Sequence, residues 1–288
     1  MNILCIQEWN SGYLILNYIV SFFTKEYYVL SFIATLIPMW LFYKAFEYEA
    51  DHVNLFLAIF LFGTTMYLYF FGITRLFIAT GIAAYAYRYI FERNTKKYVL
   101  LILIAGMFHY SALFMMFFVY LTTETENKPR SLKSIIVIMF FFMPILIYIL
   151  SNYFFPNMSN RYADYVTTNE NIQFSILQLD KLPILLLALM FQGNIMKFNK
   201  NIRIYNILYS LTIIISIYSS FINIARIQWY VTFSLCIILP SLVRELKQPY
   251  KELSYFSLPF VIAYGIIYGN KLIAGTMIRE YSNIFFSK

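Results

Sequence analysis

The sequence predicts an all-α fold, a polytopic membrane helix bundle with about eight spanning helices. First, 61% of its 288 residues are hydrophobic and only 12% are charged, whereas a soluble domain carries about 25% charged residues. Second, the apolar residues form separate runs of roughly the 20 residues that cross a bilayer. Third, Lys and Arg are concentrated in short loops between those runs, the positive-inside pattern of membrane proteins. The net charge of +8 therefore reflects orientation in a membrane and indicates no nucleic-acid partner.

Each spanning helix is predicted from an apolar window. The windows are 26–46, 53–71, 73–91, 132–155, 182–198, 204–222, 226–243 and 255–273. The run at 13–23 is too short to span a bilayer, so it is predicted to be a short interfacial or re-entrant segment. Because no repeat period and no linker divides the chain, residues 1–288 are predicted to form a single integral membrane domain.

The basic loops predict the orientation and expose a parity problem. The loops expected to be cytoplasmic are 88–97, 197–203 and 244–252. Three apolar segments separate the first two loops, and three crossings would place those loops on opposite sides. We favour a re-entrant helical pair at 98–121, because its centre at 106–111 is the most polar point of any run, and broken helices are tolerated where they line a cavity. The alternative is that 98–121 crosses and 182–198 does not.

Polar side chains within or beside the apolar runs are the candidate functional residues. His109 and Ser111 lie near the middle of the 98–121 segment, and groups at that depth usually face a protein interior or a wet cavity. Arg75, Arg161 and Arg226 fall on the predicted outer side. Such arginines can snorkel to headgroups or pair with acids. The presence of three arginines on the same side of the membrane favours an anionic or polar ligand, because a guanidinium group binds phosphate bidentately and stays charged.

Several short motifs resemble the EpsG family of polysaccharide-synthesis membrane proteins, relatives of the Wzy polymerases. The stretch 105–113, AGMFHYSAL, is similar to that family's A..FH.SAL signature. Arg75 heads an apolar stretch that ends at Arg88, and 8–17 resembles the family's E.GY..LN stretch. Leu76 departs from the pattern, since the family usually has Gln there. Members also usually begin with a further transmembrane helix and a first outer loop, which this sequence is expected to lack.

The resemblance implies polymerisation of lipid-linked oligosaccharide repeat units on the outer face of the bacterial plasma (inner) membrane, for a capsule, exopolysaccharide or O-antigen. The enzyme would be a metal-independent membrane glycosyltransferase without a cofactor. Its expected partners are an undecaprenyl-pyrophosphate-linked glycan, membrane lipid and other polysaccharide-assembly proteins. The alternatives are a transporter or flippase, and a non-catalytic membrane component of a polysaccharide-export complex.

With that reaction, the candidate residues take expected roles. The arginines would bind the pyrophosphate leaving group and stabilise its developing charge. His109 would act as the general base on the acceptor hydroxyl or, alternatively, as a structural hydrogen-bond partner. Glu8 and Asp164 are the reserve bases. The remaining expected substrate contacts are Ser111, Tyr162 and Tyr165. No Cys/His cluster and no paired acidic motif indicates a metal site.

Overall fold

The computed structural model describes residues 11–70, 73–116, 118, 182–218, 225–245 and 251–275. Within these residues every regular element is helical, as predicted. The helices are α1 (Ser11–Ser21), α2 (Tyr27–Tyr48), α3 (Leu55–Phe62), α4 (Leu68–Phe70), α5 (Thr74–Phe91), α6 (Thr95–Phe108), α7 (Leu182–Ile195), α8 (Ile202–Tyr218), α9 (Ala225–Thr232), α10 (Leu235–Glu245) and α11 (Lys251–Gly275). A π-helical turn at Gly63–Tyr67 joins α3 to α4, and a 3₁₀ turn at Tyr110–Phe114 follows α6.

Two segments in the described part of the chain are both long and apolar enough to cross a bilayer, Tyr27–Tyr48 and Arg226–Arg244. The shorter apolar helices are Leu55–Phe70, Leu182–Ile195, Ile202–Ile215 and Leu258–Asn270. Most of the side chains of Arg226–Arg244 are buried, whereas α2 exposes large apolar side chains such as Phe32 and Trp40. Hence α9 and α10 lie in the centre of the bundle and α2 at its periphery. The predicted number of spans stays a prediction, and the 132–155 window lies outside the described residues.

The bundle core is an aromatic cluster that joins α2, α3, α5 and the α9–α10 turn. Phe42 packs against Phe62 and Phe233, with ring centroids 4.5 and 5.6 Å apart. The close approach of α2 and α5 depends on Gly81, because a Cβ there would lie 3.0 Å from Cα of Pro38. Small residues at a helix crossing let the backbones approach closely in membrane bundles. The tight α2–α5 pair therefore fixes the position of α5, whose first turn carries Arg75.

A buried carboxylate organises one end of the bundle. Glu49 follows α2 directly and is fully buried. It accepts hydrogen bonds from Nδ2 of Asn199 at 3.0 Å, from Nδ2 of Asn201 at 2.8 Å and from the hydroxyl of Tyr205 at 3.2 Å. These four residues, hereafter the Glu49 cluster, join the α2–α3 loop to the α7–α8 loop. A buried charge needs such partners, since leaving it without them would cost several kcal/mol.

The same end also holds the last turn of α10 and the end of α5. Arg244 donates from one guanidinium nitrogen to the carbonyl oxygens of Ala50 at 2.6 Å and Val53 at 3.0 Å. Phe91, the last residue of α5, packs on Tyr205 with ring centroids 5.2 Å apart. The described parts of the three basic loops therefore lie at one end of the molecule, as the sequence predicted. That this end faces the cytoplasm stays a prediction.

The 98–121 segment reverses direction at His109. Helix α6 ends at Phe108, and His109 is extended, with φ −153° and ψ 113°. From Tyr98 to Phe108 the helix rises about 15 Å, yet the hydroxyl of Tyr98 donates to the carbonyl oxygen of Met115 at 3.0 Å. The chain after His109 therefore runs back along α6, which is the geometry predicted for a re-entrant pair. Residues 117 and 119–121 lie outside the described part.

Candidate functional site

The turn of this hairpin carries a hydrogen-bonded chain of three side chains. Nδ1 of His109 lies 2.6 Å from Oγ of Ser111, and that oxygen lies 3.1 Å from the hydroxyl oxygen of Tyr230 in α9. The three residues are 7%, 9% and 0% exposed. Because buried polar groups are costly unless they are hydrogen-bonded, each contact stabilises the turn as well as orienting the imidazole. His109, Ser111 and Tyr230 are hereafter the His109 cluster.

A second tyrosine fixes the backbone of α9 at this point. The hydroxyl of Tyr87 in α5 donates to the carbonyl oxygen of Tyr230 at 2.5 Å. Tyr87 is itself fully buried, and its ring packs between Phe118 and Phe233, with centroids 6.3 and 6.4 Å away. The position of Tyr230 is therefore set by α5, and the hairpin, α5 and α9 meet at one place.

Two arginines bring positive charge to the His109 cluster. Arg75 lies in the first turn of α5 and Arg226 in the first turn of α9, one helical turn before Tyr230. The charges of both guanidinium groups act on the His109 ring, and the charge of Arg226 also acts on Tyr230. Two helix N-termini, each with the partial positive charge of its dipole, thus add to two guanidinium charges. This combination suits an anion such as a phosphate.

The short helix α1 covers the Arg75 side of the site. The guanidinium of Arg75 lies over the ring of Tyr13, 5.2 Å from its centroid, a cation–π contact. Gly12 allows α1 to pack closely on the end of α6, because a Cβ at this position would lie 3.0 Å from Cδ2 of Phe108, the residue before His109. Helix α1 has 11 residues, so it is too short to span a bilayer, and it packs beside the hairpin turn.

An aromatic pair borders the Arg226 side. Trp229 stacks on Tyr69 with ring centroids 3.9 Å apart and an interplanar angle of 22°. Phe70 meets the Trp229 ring edge-on at 5.7 Å. Trp229 is 5% exposed, so its ring serves mainly to pack α9 against α4.

The structure brings four of the predicted site residues together: His109, Ser111, Arg75 and Arg226. The predicted residues that lie outside the described part of the chain are Glu8, Arg161, Tyr162, Asp164 and Tyr165. In the described ranges no group of three His, Cys, Asp or Glu side chains is placed to hold a metal ion. The described part of the site therefore offers hydrogen-bond donors, an imidazole and two cations.

Sequence reasoning missed Tyr230 and Tyr87 as members of the site. Tyr230 is one of 27 tyrosines, and nothing in its immediate sequence distinguishes it by burial or polarity. One signal was present, since Tyr230 lies four residues after Arg226 and hence on the same helix face. That spacing could have placed the phenol beside whatever ligand Arg226 binds. Tyr87 carries no comparable signal.

The comparisons with known proteins agree with the resemblance seen in the motifs. No curated protein and no solved structure matches the chain. A family model, described as the EpsG family, matches residues 3–283. This match covers nearly the whole chain and includes the arginines of α5 and α9 as well as the hairpin. The chain therefore belongs to the EpsG family.

Proposed function

We propose that this protein polymerises lipid-linked oligosaccharide repeat units on the outer face of the bacterial plasma membrane. One observation carries the proposal: Arg75 and Arg226 lie in the first turns of two separate helices that both pack on the turn after His109, where the imidazole belongs to a buried hydrogen-bonded chain. Phosphoryl oxygens need cations and donors at close range, and Arg supplies both without a metal. Membership of the EpsG family supports the same reading, because it points to polysaccharide biosynthesis in a membrane.

The proposed reaction is a glycosyl transfer. The oxygen of a sugar hydroxyl on a new repeat unit attacks the anomeric carbon of the growing chain. The bond from that carbon to the pyrophosphate oxygen breaks, and its electron pair leaves with undecaprenyl pyrophosphate. The hydroxyl proton passes to a base, for which the sequence offers His109, Glu8 and Asp164. Arg75 and Arg226 stabilise the charge that develops on the leaving group.

The experiment replaces each arginine by lysine. Arg75→Lys and Arg226→Lys keep the charge but lose the bidentate fork. We expect shorter polymer and accumulation of single repeat units, at unchanged protein levels in the membrane. The measurement is an electrophoretic ladder of the polymer from cells that carry each variant in place of the parent gene, with an immunoblot of the membrane fraction.

Arg203→Lys is the matched control, because Arg203 lies in the first turn of α8 beside the Glu49 cluster, at the other end of the molecule. It should leave the ladder unchanged. Full-length polymer from both Arg75→Lys and Arg226→Lys would overturn the proposal. A transporter is distinguished by the product: loss of a polymerase leaves single repeat units displayed outside the cell, whereas loss of a flippase leaves none.

A further inference from the structure

The hydrogen bonds of the His109 cluster have a preferred direction. A phenol is a more acidic donor than an aliphatic hydroxyl, and an imidazole nitrogen is a better acceptor than a phenol oxygen. Among the described residues, Ser111 is the one hydrogen-bond partner of the Tyr230 hydroxyl. If Ser111 donated to Tyr230, the phenolic hydrogen would have no acceptor in that part of the chain. The favoured order is therefore Tyr230 donating to Ser111, and Ser111 donating to Nδ1 of His109.

This order determines which ring nitrogen carries hydrogen. A neutral imidazole whose Nδ1 accepts a hydrogen bond carries its hydrogen on Nε2. Its free nitrogen is then a donor and cannot accept the proton of a substrate hydroxyl. An imidazolium would add a third positive charge beside Arg75 and Arg226, whose charges both act on this ring. A neutral Nε2–H donor beside two guanidinium groups is instead complementary to a single anionic ligand.

We infer that His109 binds the substrate as a neutral hydrogen-bond donor, with Nε2–H directed to an oxygen of the lipid pyrophosphate, and that Ser111 and Tyr230 are the positioning residues that hold this tautomer. The inference rests on the proposed function for its ligand. It removes His109 from the three candidates for the base that the sequence offers, and leaves Glu8 and Asp164 as predictions. A neutral histidine that polarises an oxygen is a known catalytic strategy.

The tautomer is measurable without any substrate. The chain has two histidines, His52 and His109, so ¹⁵N-histidine labelling of a His52→Gln protein in lipid leaves the His109 ring as the sole signal. The ¹⁵N shifts should show a protonated Nε2 and an unprotonated Nδ1. Tyr230→Phe and Ser111→Ala should each convert this single form into a mixture of tautomers. A protonated Nδ1 in the parent would overturn the inference.

Tyr205→Phe is the matched control for these variants, because it removes another fully buried phenol hydroxyl, one that donates to Glu49 at the other end of the molecule. It should leave the His109 spectrum unchanged. Inorganic pyrophosphate is the probe for the ligand. Its addition should shift the Nε2 signal of the parent and leave that of an Arg75→Lys, Arg226→Lys protein in place. An unmoved signal at saturating pyrophosphate would contradict donation to the leaving group.

The polymerisation activity of two variants, His109→Gln and His109→Asn, shows whether His109 acts as a hydrogen-bond donor or as a base. The amide nitrogen of glutamine can occupy the place of Nε2, whereas that of asparagine reaches only the place of Nδ1. A donor role therefore predicts that His109→Gln keeps polymerisation within about tenfold of the parent and that His109→Asn loses about 10²-fold or more, the usual effect of deleting one such donor. Equal loss in both variants would return the base role to His109. Should the parent make no polymer while the spectra show Nε2–H, the proposed function fails and the tautomer assignment stands.

Discussion

The Glu49 cluster and the His109 cluster are both buried and polar, but they differ in how many hydrogen-bonding atoms remain for a ligand. In the Glu49 cluster, a carboxylate accepts three hydrogen bonds from neutral side chains, and both of its oxygens are used. In the His109 cluster, the hydrogen bonds from Tyr230 and Ser111 end on Nδ1 of the imidazole, and within the described residues Nε2 has no such partner; two guanidinium charges act on the same ring. Burial and hydrogen bonding are alike in the two places. What separates a structural cluster from a candidate site is therefore the remaining capacity to bind, not the presence of buried polar groups.

The electrostatics of Glu49 fit a structural role. Burial raises the pKa of Glu49, and the hydrogen bonds from Asn201, Asn199 and Tyr205 oppose that shift. The donors thus compensate for the loss of water around the carboxyl group. Such a group holds two loops together, and both of its oxygens already accept hydrogen bonds from the protein.

The contrast also bears on the choice between a polymerase and a transporter. A transporter must open at both ends in turn. At the end of the Glu49 cluster, Glu49 and Arg244 tie the α2–α3 loop to the α7–α8 loop and to α10. Opening that end would break five hydrogen bonds within this set. Arg75 and Arg226, at the starts of α5 and α9, lie away from that end, as the proposed polymerase predicts for a site that is reached from one side.

The largest expected effect is an all-or-none difference in accessibility between the two ends. In a protein without Cys5 and Cys236, a cysteine at Lys200 should be shielded in intact cells from a membrane-impermeant maleimide and should react after permeabilisation. A cysteine at Lys25, in the exposed turn before α2, should react in intact cells. The reason is that α2 runs from that turn to Glu49, so its two ends lie on opposite sides of the bundle. Labelling of position 200 from outside would show that the Glu49 cluster does not face the cytoplasm.

The next largest effect is on the stability of the Glu49 cluster. Glu49→Ala leaves the buried donors of Asn199 and Tyr205 and the half-buried donor of Asn201 without their acceptor, and we expect it to lower the free energy of unfolding by about 3 kcal/mol or more. Thermal unfolding in detergent measures this loss. Polymerisation per folded molecule should stay at the parental level. Ser111→Ala should differ in activity, with a large loss of polymer per folded molecule, because Ser111 orients His109.

Glu47→Ala is the control for Glu49→Ala. Glu47 lies two residues earlier and pairs with Lys44 on the surface at 2.6 Å. Exposed ion pairs typically contribute about 0–1 kcal/mol, so this variant should unfold close to the parent. If Glu49→Ala and Glu47→Ala unfolded at the same temperature, the Glu49 cluster would not stabilise the fold.

The two clusters were not equally visible in the sequence. Apolar windows predicted the helices well, as the 73–91 window and the helix Thr74–Phe91 show, because helical crossings of a membrane require long apolar runs. The break at His109 was also predicted, since polar groups interrupt the run there. By contrast, the sequence around Glu49 predicts only a loop residue after a helix. The residues that donate hydrogen bonds to Glu49 lie 150 to 156 positions further along the chain, so the sequence does not show that they meet. Tyr230 was missed for the same reason, because Ser111 is 119 residues distant.

The smallest expected effect compares one substitution in two places. Tyr98 and Tyr205 are both buried phenols, but Tyr98 donates to the neutral carbonyl of Met115 and Tyr205 to the carboxylate of Glu49. Hydrogen bonds to neutral groups contribute about 0.5–1.5 kcal/mol and those to charged groups about 1.5–3 kcal/mol. Tyr98→Phe should therefore destabilise the protein less than Tyr205→Phe, as measured by thermal unfolding in detergent. Only Tyr98→Phe should lower polymerisation, since it loosens the hairpin whose turn carries His109. Equal polymerisation by both variants would mean that the second arm of the hairpin does not hold the imidazole in place.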